Sequence, residues 1–82
     1  MELKDTIKMM DNADYKERFK AEYYQVKIRL NKLIDMLAKW DLGELEFTPT
    51  CPKSTYALQI KYMSAYLTIL EIRAKIEGVD LE

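Results

Sequence analysis

The strongest constraint on this chain is a pair of hydrophobic stripes that step 4, 3, 4, 3 without a break. One reads Phe19, Tyr23, Val26, Leu30, Leu33, Leu37, Trp40; the other reads Tyr56, Ile60, Met63, Leu67, Leu70, Ala74. At about 3.6 residues per helical turn, that spacing keeps every member on one narrow face, as in a coiled-coil seam. Two such faces joined by a short loop predict an antiparallel hairpin. The expected fold is all-α: a two-helix hairpin with coiled-coil-like packing, a short N-terminal helical arm, and assembly as a homo-oligomer.

Local signals set the boundaries. Residues 1–13 form the arm and residues 14–82 the hairpin domain, with helix A at about 15–41, a connector at 42–51 and helix B at about 52–77. Asp14 is a good N-cap, and Glu17 three positions later completes a capping-box pattern. Gly43 is a natural left-handed stop, and Gly78 followed by Val79 fits a Schellman close. Pro49 and Pro52 rule out one continuous helix. Pro52 suits the first helical position behind a cap at Thr50 or Cys51, with Ser54 as a competing cap. Leu45 and Phe47 are expected to fold back and plug the open end of the hairpin near Trp40. In the arm, Leu3, Ile7 and Met10 make two helical turns, too short to persist in water unless that stripe docks.

A chain of 82 residues is one small domain, which usually needs staples or self-association to be stable. Staples are absent. The lone Cys51 cannot form an internal disulfide, and without histidine a structural zinc site is close to excluded. Helix B also carries a second stripe, Tyr62, Tyr66, Ile69 and Ile76, interrupted only by Arg73. An apolar face that wide exceeds what one partner helix covers, so these residues are the expected interface with a second copy.

No run approaches about 20 apolar residues, so no transmembrane helix is expected. The charged start Met1–Asp5 lacks the apolar core of a signal peptide. With one thiol, this points to a cytoplasmic protein without a membrane role. The net charge of −1 argues against general nucleic-acid binding, and no sequence-specific binding is expected. Charge is unevenly spread: residues 14–40 carry seven Lys/Arg against four Asp/Glu, whereas 41–82 carry four against seven. Opposite halves favour antiparallel docking of helix on helix.

The inventory for catalysis is poor. There is no histidine, no Ser-x-x-Lys pair and no glycine-rich phosphate loop. Glu44 and Glu46 are a possible carboxylate pair, but they sit in a short solvated loop. The expectation is a protein that is not an enzyme, with no cofactor and no metal. Aromatic and basic residues interleave more suggestively. Tyr15, Arg18, Tyr24 and Lys27 on helix A combine stacking faces with cations, as nucleotide binding requires, and Tyr62 and Arg73 on helix B form a second tier. The plainer reading puts Tyr23 in the core and Arg18 and Lys20 on a solvated face. Tyr62 and Tyr66, near Lys61 and Arg73, then belong to an interface. Both readings stay open here.

Three segments resemble a known family: the run Asp14 to Tyr23, the connector Leu45 to Pro52 with its Phe-x-Pro-x-Cys-Pro motif, and the tail Leu70 to Gly78. They are similar to small helical-hairpin proteins of phages and prophages of Gram-positive bacteria, related to a crAss-like phage protein. The resemblance covers about residues 14–82. It implies a phage origin but brings no settled activity and no catalytic residues. The function it implies is counter-defence inside the infected bacterial cell. In one version, clefts of a helical oligomer sequester a cyclic-nucleotide immune signal. In another, the helical surface blocks a host defence protein such as a CRISPR nuclease. A third is a structural or regulatory phage protein with no immune target. The partners implied are therefore a second copy of the chain, and a cyclic nucleotide or a host defence protein.

Overall fold

The computed structural model describes residues 1–81, and among these the regular elements are all helical. A 3₁₀ turn, Leu3–Thr6, runs into the single turn α1 (Ile7–Met10); α2 spans Tyr15–Asp41 and α3 spans Lys53–Glu77. The two long helices pack side by side and antiparallel. At one end Lys16 Nζ donates to the Gly78 carbonyl at 3.2 Å, and at the other Lys53 Nζ meets Asp41 Oδ1 at 2.9 Å. The molecule is 43 Å long, close to the ~40 Å that a 27-residue helix spans.

Both stripes face inward, and their burial is graded. Phe19, Tyr23, Leu30, Leu67, Leu70 and Ala74 are buried together with Val79, near the end where α2 begins and α3 finishes. Toward the connector Leu33, Leu37, Tyr56 and Ile60 are only half-buried. Each long helix ends on a glycine in the left-handed region, Gly43 at φ +72° and Gly78 at φ +71°. After each, the next N–H reaches five residues back, Glu44 to Lys39 and Val79 to Ala74, both at 2.8 Å. These bonds satisfy the last carbonyls, the Schellman pattern.

Four local expectations are corrected. Asp14 does cap α2, accepting from the Lys16 N–H at 3.0 Å. Glu17, however, does not reach back: its carboxylate pairs with Lys20, and the Asp14 N–H is satisfied by Asn12 Oδ1 at 2.8 Å. Pro52 is the N-cap of α3 rather than its first residue, because its ψ of 155° is extended. Leu45 and Phe47 do fold back beside Met36 and Lys39 of α2, with Leu45 half-buried, but Phe47 is 59% exposed and does not plug the open end. The open end is closed instead by Trp40 edge-on to Tyr56 at 6.4 Å, with the Lys53 ammonium 5.0 Å from the Trp40 ring centre.

The fourth correction concerns the arm, which docks on α2 through a different face from the expected stripe. Leu3, Thr6 and Met9 turn inward, while Ile7 and Met10 stay exposed. The reason is the 3₁₀ start. With about three residues per turn, positions i and i+3 eclipse, so the inward face steps 3, 3 instead of 4, 3. Thr6 is fully buried, and its hydroxyl donates to the Leu3 carbonyl at 2.7 Å while accepting from Gln25 Nε2 at 3.0 Å. Ala21, also fully buried, provides a small side chain on the first half of α2.

Candidate functional site

The tight end of the hairpin holds a cleft. Its walls come from the first half of α2 and the last turns of α3 with the segment beyond Gly78. Tyr23 and Lys27 line one wall, Glu71 and Lys75 the other, and Asp80 and Leu81 the end, around about 350 Å³. The register of the hairpin brings residues some fifty positions apart in sequence to one place. Burial of Tyr23 in the seam fixes its ring, and Tyr24 stands edge-on to it at 5.4 Å and 70°. One turn further along, Lys27 places its ammonium 5.7 Å from the Tyr23 ring centre. The cation is thus held by the negative face of an aromatic ring and remains exposed to solvent.

Charge in the cleft is mixed. Lys27 and Lys75 offer donors for an anion, while Glu71 and Asp80 offer acceptors for hydroxyl or amine hydrogens. Neither lysine belongs to an ion pair among the described residues. Lys20 lies outside the cleft lining, and its ammonium is held above its ordinary pKa chiefly by the hydrogen bond to Glu17.

The remaining candidate residues are dispersed. Tyr15 is exposed at the first turn of α2. Arg18, one turn on, donates to the carbonyls of Asn12 at 2.7 Å and Ala13 at 2.8 Å, so its guanidinium clamps the segment between arm and α2. Arg73 lies over the Phe19 ring at 4.9 Å and pairs with Glu77 at 2.9 Å. Tyr62 is exposed with the Lys61 ammonium 5.8 Å from its ring centre, about 16 Å along the helix from Arg73. Of the sequence candidates, the cleft takes in Lys27, with Tyr24 beside it. Glu71, Lys75 and Asp80 were missed, since each is unremarkable within its own helix or tail.

A second groove of similar volume lies beside the arm, with Met36 and Met63 among its apolar residues and Arg29 and Lys32 as its cations. It is the more open of the two and has no aromatic side chain. Among the described residues no helix is long and apolar enough to cross a membrane, and no three His, Cys, Asp or Glu side chains gather as metal ligands.

A family model described as Sequestin matches residues 13–76, most of the chain and nearly all of the hairpin. No curated protein and no solved structure matches.

Proposed function

The chain belongs to the Sequestin family, and on that premise we propose that it acts by sequestration, holding a small anionic molecule of the cyclic-nucleotide class without altering it. The family name denotes sequestration. The observation that carries the ligand class is the Tyr23 cleft, where a ring-held cation, a second lysine and two carboxylates share about 350 Å³. Lysines neutralise phosphate, carboxylates accept from ribose hydroxyls and base amines, and Tyr23 gives an aromatic wall. The volume is at the lower end for small-molecule sites, enough for about one nucleotide unit. In this reading the protein is a phage-encoded, non-catalytic counter-defence factor that lowers the free concentration of an immune signal in the infected cell's cytoplasm.

The competing reading is direct blocking of a host defence protein, such as a CRISPR nuclease, and one observation favours it. The outer face of α3 exposes Tyr62, Ile69, Ile72 and Ile76, as protein-binding surfaces do. A panel of cyclic di- and trinucleotides, followed by calorimetry and thermal shift, separates the two. Sequestration requires stoichiometric binding, a raised melting temperature, and recovery of the nucleotide intact after the protein is denatured. A ligand at ~100 times its dissociation constant adds about 2.7 kcal/mol. No heat and no shift with any member of the panel rejects the nucleotide reading, and recovery of a cleaved nucleotide rejects sequestration.

A further inference from the structure

Helix α3 carries two complete seams. Two residues on from each core position lies an exposed one: Leu58, Tyr62, Ala65, Ile69, Ile72 and Ile76 follow Tyr56, Ile60, Met63, Leu67, Leu70 and Ala74. Two residues turn a helix by about 200°, so the outer seam is nearly opposite the one that α2 covers. It repeats the 4, 3, 4, 3, 4 spacing of a coiled coil. The chain exposes 5978 Å², whereas a compact monomer of 9.7 kDa exposes about 5,100 Å². The excess of roughly 850 Å² is one partner's share of a standard protein interface, about 800 Å².

We infer that a second copy of this chain covers the outer seam of α3, running antiparallel to it, and brings its Lys61 to the rim of the Tyr23 cleft. The spacing of the seam is symmetric about Leu67, as a two-fold pairing of identical helices requires. In antiparallel register Leu58 faces Ile76, Tyr62 faces Ile72 and Ala65 faces Ile69, so the small residue meets a large one. A parallel register would set Ala65 on Ala65 and Tyr62 on Tyr62, leaving a void beside a crowded layer.

The flanks of the seam connect this dimer to the cleft. Lys61, Thr68 and Lys75 lie along the flank nearer the cleft, and Lys75 is one of its walls. Reversing one helix sets like flank against like flank, so Lys61 of the second copy comes beside Lys75 of the first. The same happens at the two-fold related cleft. Within one chain the cleft balances two lysines against two carboxylates; with the added Lys61 its cations outnumber its carboxylates, and it prefers an anion. This completion of the cleft rests on the sequestration reading above, whereas the dimer rests on the seam alone. Because the two lysines repel until an anion lies between them, nucleotide and dimer should strengthen one another.

A short amine-reactive cross-linker applied to a mixture of isotopically light and heavy copies of the full chain tests the register. Along one helix Lys61 and Lys75 are about 21 Å apart, so a short link between them forms only across copies. The expected result is a mixed light–heavy Lys61–Lys75 link, with light scattering that gives a dimer at micromolar concentration. The variant Ile69→Glu should lose both and stay helical by circular dichroism. A folded monomer for the unmodified chain, a dominant Lys61–Lys61 link, or a dimeric Ile69→Glu overturns the interface. Lys61→Ala should keep the dimer and bind a cyclic dinucleotide about tenfold more weakly. Unchanged affinity in Lys61→Ala overturns the completed cleft, and a cross-linked dimer that binds no nucleotide overturns the sequestration reading while supporting the interface.

Discussion

Leu67 and Ile69 stand two residues apart on opposite sides of α3, the first 8% exposed and the second 55%. Leu67 belongs to the buried core between α2 and α3, and among the described residues Ile69 lies outside that core. Truncation separates their roles. Leu67→Ala should cost about 2–5 kcal/mol and lower the melting temperature at every protein concentration. Ile69→Ala should lower it mainly where the protein is dimeric, so melting curves at two concentrations a hundredfold apart tell them apart.

The cleft lysines should control affinity without controlling folding. Lys27→Ala and Lys75→Ala each remove a charge-assisted contact, with an expected loss of about 1.5–3 kcal/mol in cyclic-nucleotide binding measured by calorimetry. Stability should change by less than ~0.5 kcal/mol, since both groups are exposed. Glu71→Gln keeps an acceptor oxygen for a ligand hydroxyl while removing the negative charge beside the anion, so binding should tighten. Raising salt should weaken it.

Arg18 and Thr6 should act on the arm. Arg18→Ala deletes the clamp on the Asn12 and Ala13 carbonyls. Thr6→Val keeps the shape but removes the hydroxyl that links Leu3 to Gln25, leaving Gln25 Nε2 only its contact with Met10 Sδ, a cost of about 0.5–1.5 kcal/mol for a lost hydrogen bond. In both variants amide exchange should accelerate across residues 3–12 and remain unchanged in α3. Loss of nucleotide affinity in Arg18→Ala with the arm still protected would return Arg18 to the ligand.

Lys20 gives a pH expectation with a definite sign. Its pKa is raised in the folded chain, chiefly by the hydrogen bond from its ammonium to Glu17. The stabilisation is therefore fully present below the unfolded value and fades as pH climbs through the higher folded one. The pair should persist through neutral and mildly alkaline solution. Glu17→Gln should move the Lys20 titration, followed by NMR, back toward the ordinary range for lysine.

The two core stripes were legible because their spacing is the geometry of the α-helix itself, and each member sits on the inner side. The arm misled, since Ile7 and Met10 match an α-helical stripe while the chain begins as a 3₁₀ turn and buries a threonine. Phe47 reads as a plug from its apolarity alone; its exposure depends on the path of a connector with two prolines. The outer seam was half visible. Tyr62, Ile69 and Ile76 stood out, but Tyr66 drew attention from Leu58, Ala65 and Ile72, although it stands on the flank, 39% exposed. Arg18 and Lys75 could not be sorted by sequence, because one is claimed by loop carbonyls and the other by a wall contributed from the far end of the chain.

The burial gradient makes the hairpin a clip with its grip at one tip. Contacts are dense where Phe19 and Tyr23 meet Leu70 and Ala74, and thin out toward Trp40 and Tyr56. Thermal opening should therefore start at the connector and travel toward Gly78. A molecule captured beside Tyr23 enters the stiffest part of the chain, where little remains to be frozen on binding, so less of the gross contact energy is lost to ordering. The connector can meanwhile flex, take a label at the exposed Cys51, or accept an insertion without loosening that hold.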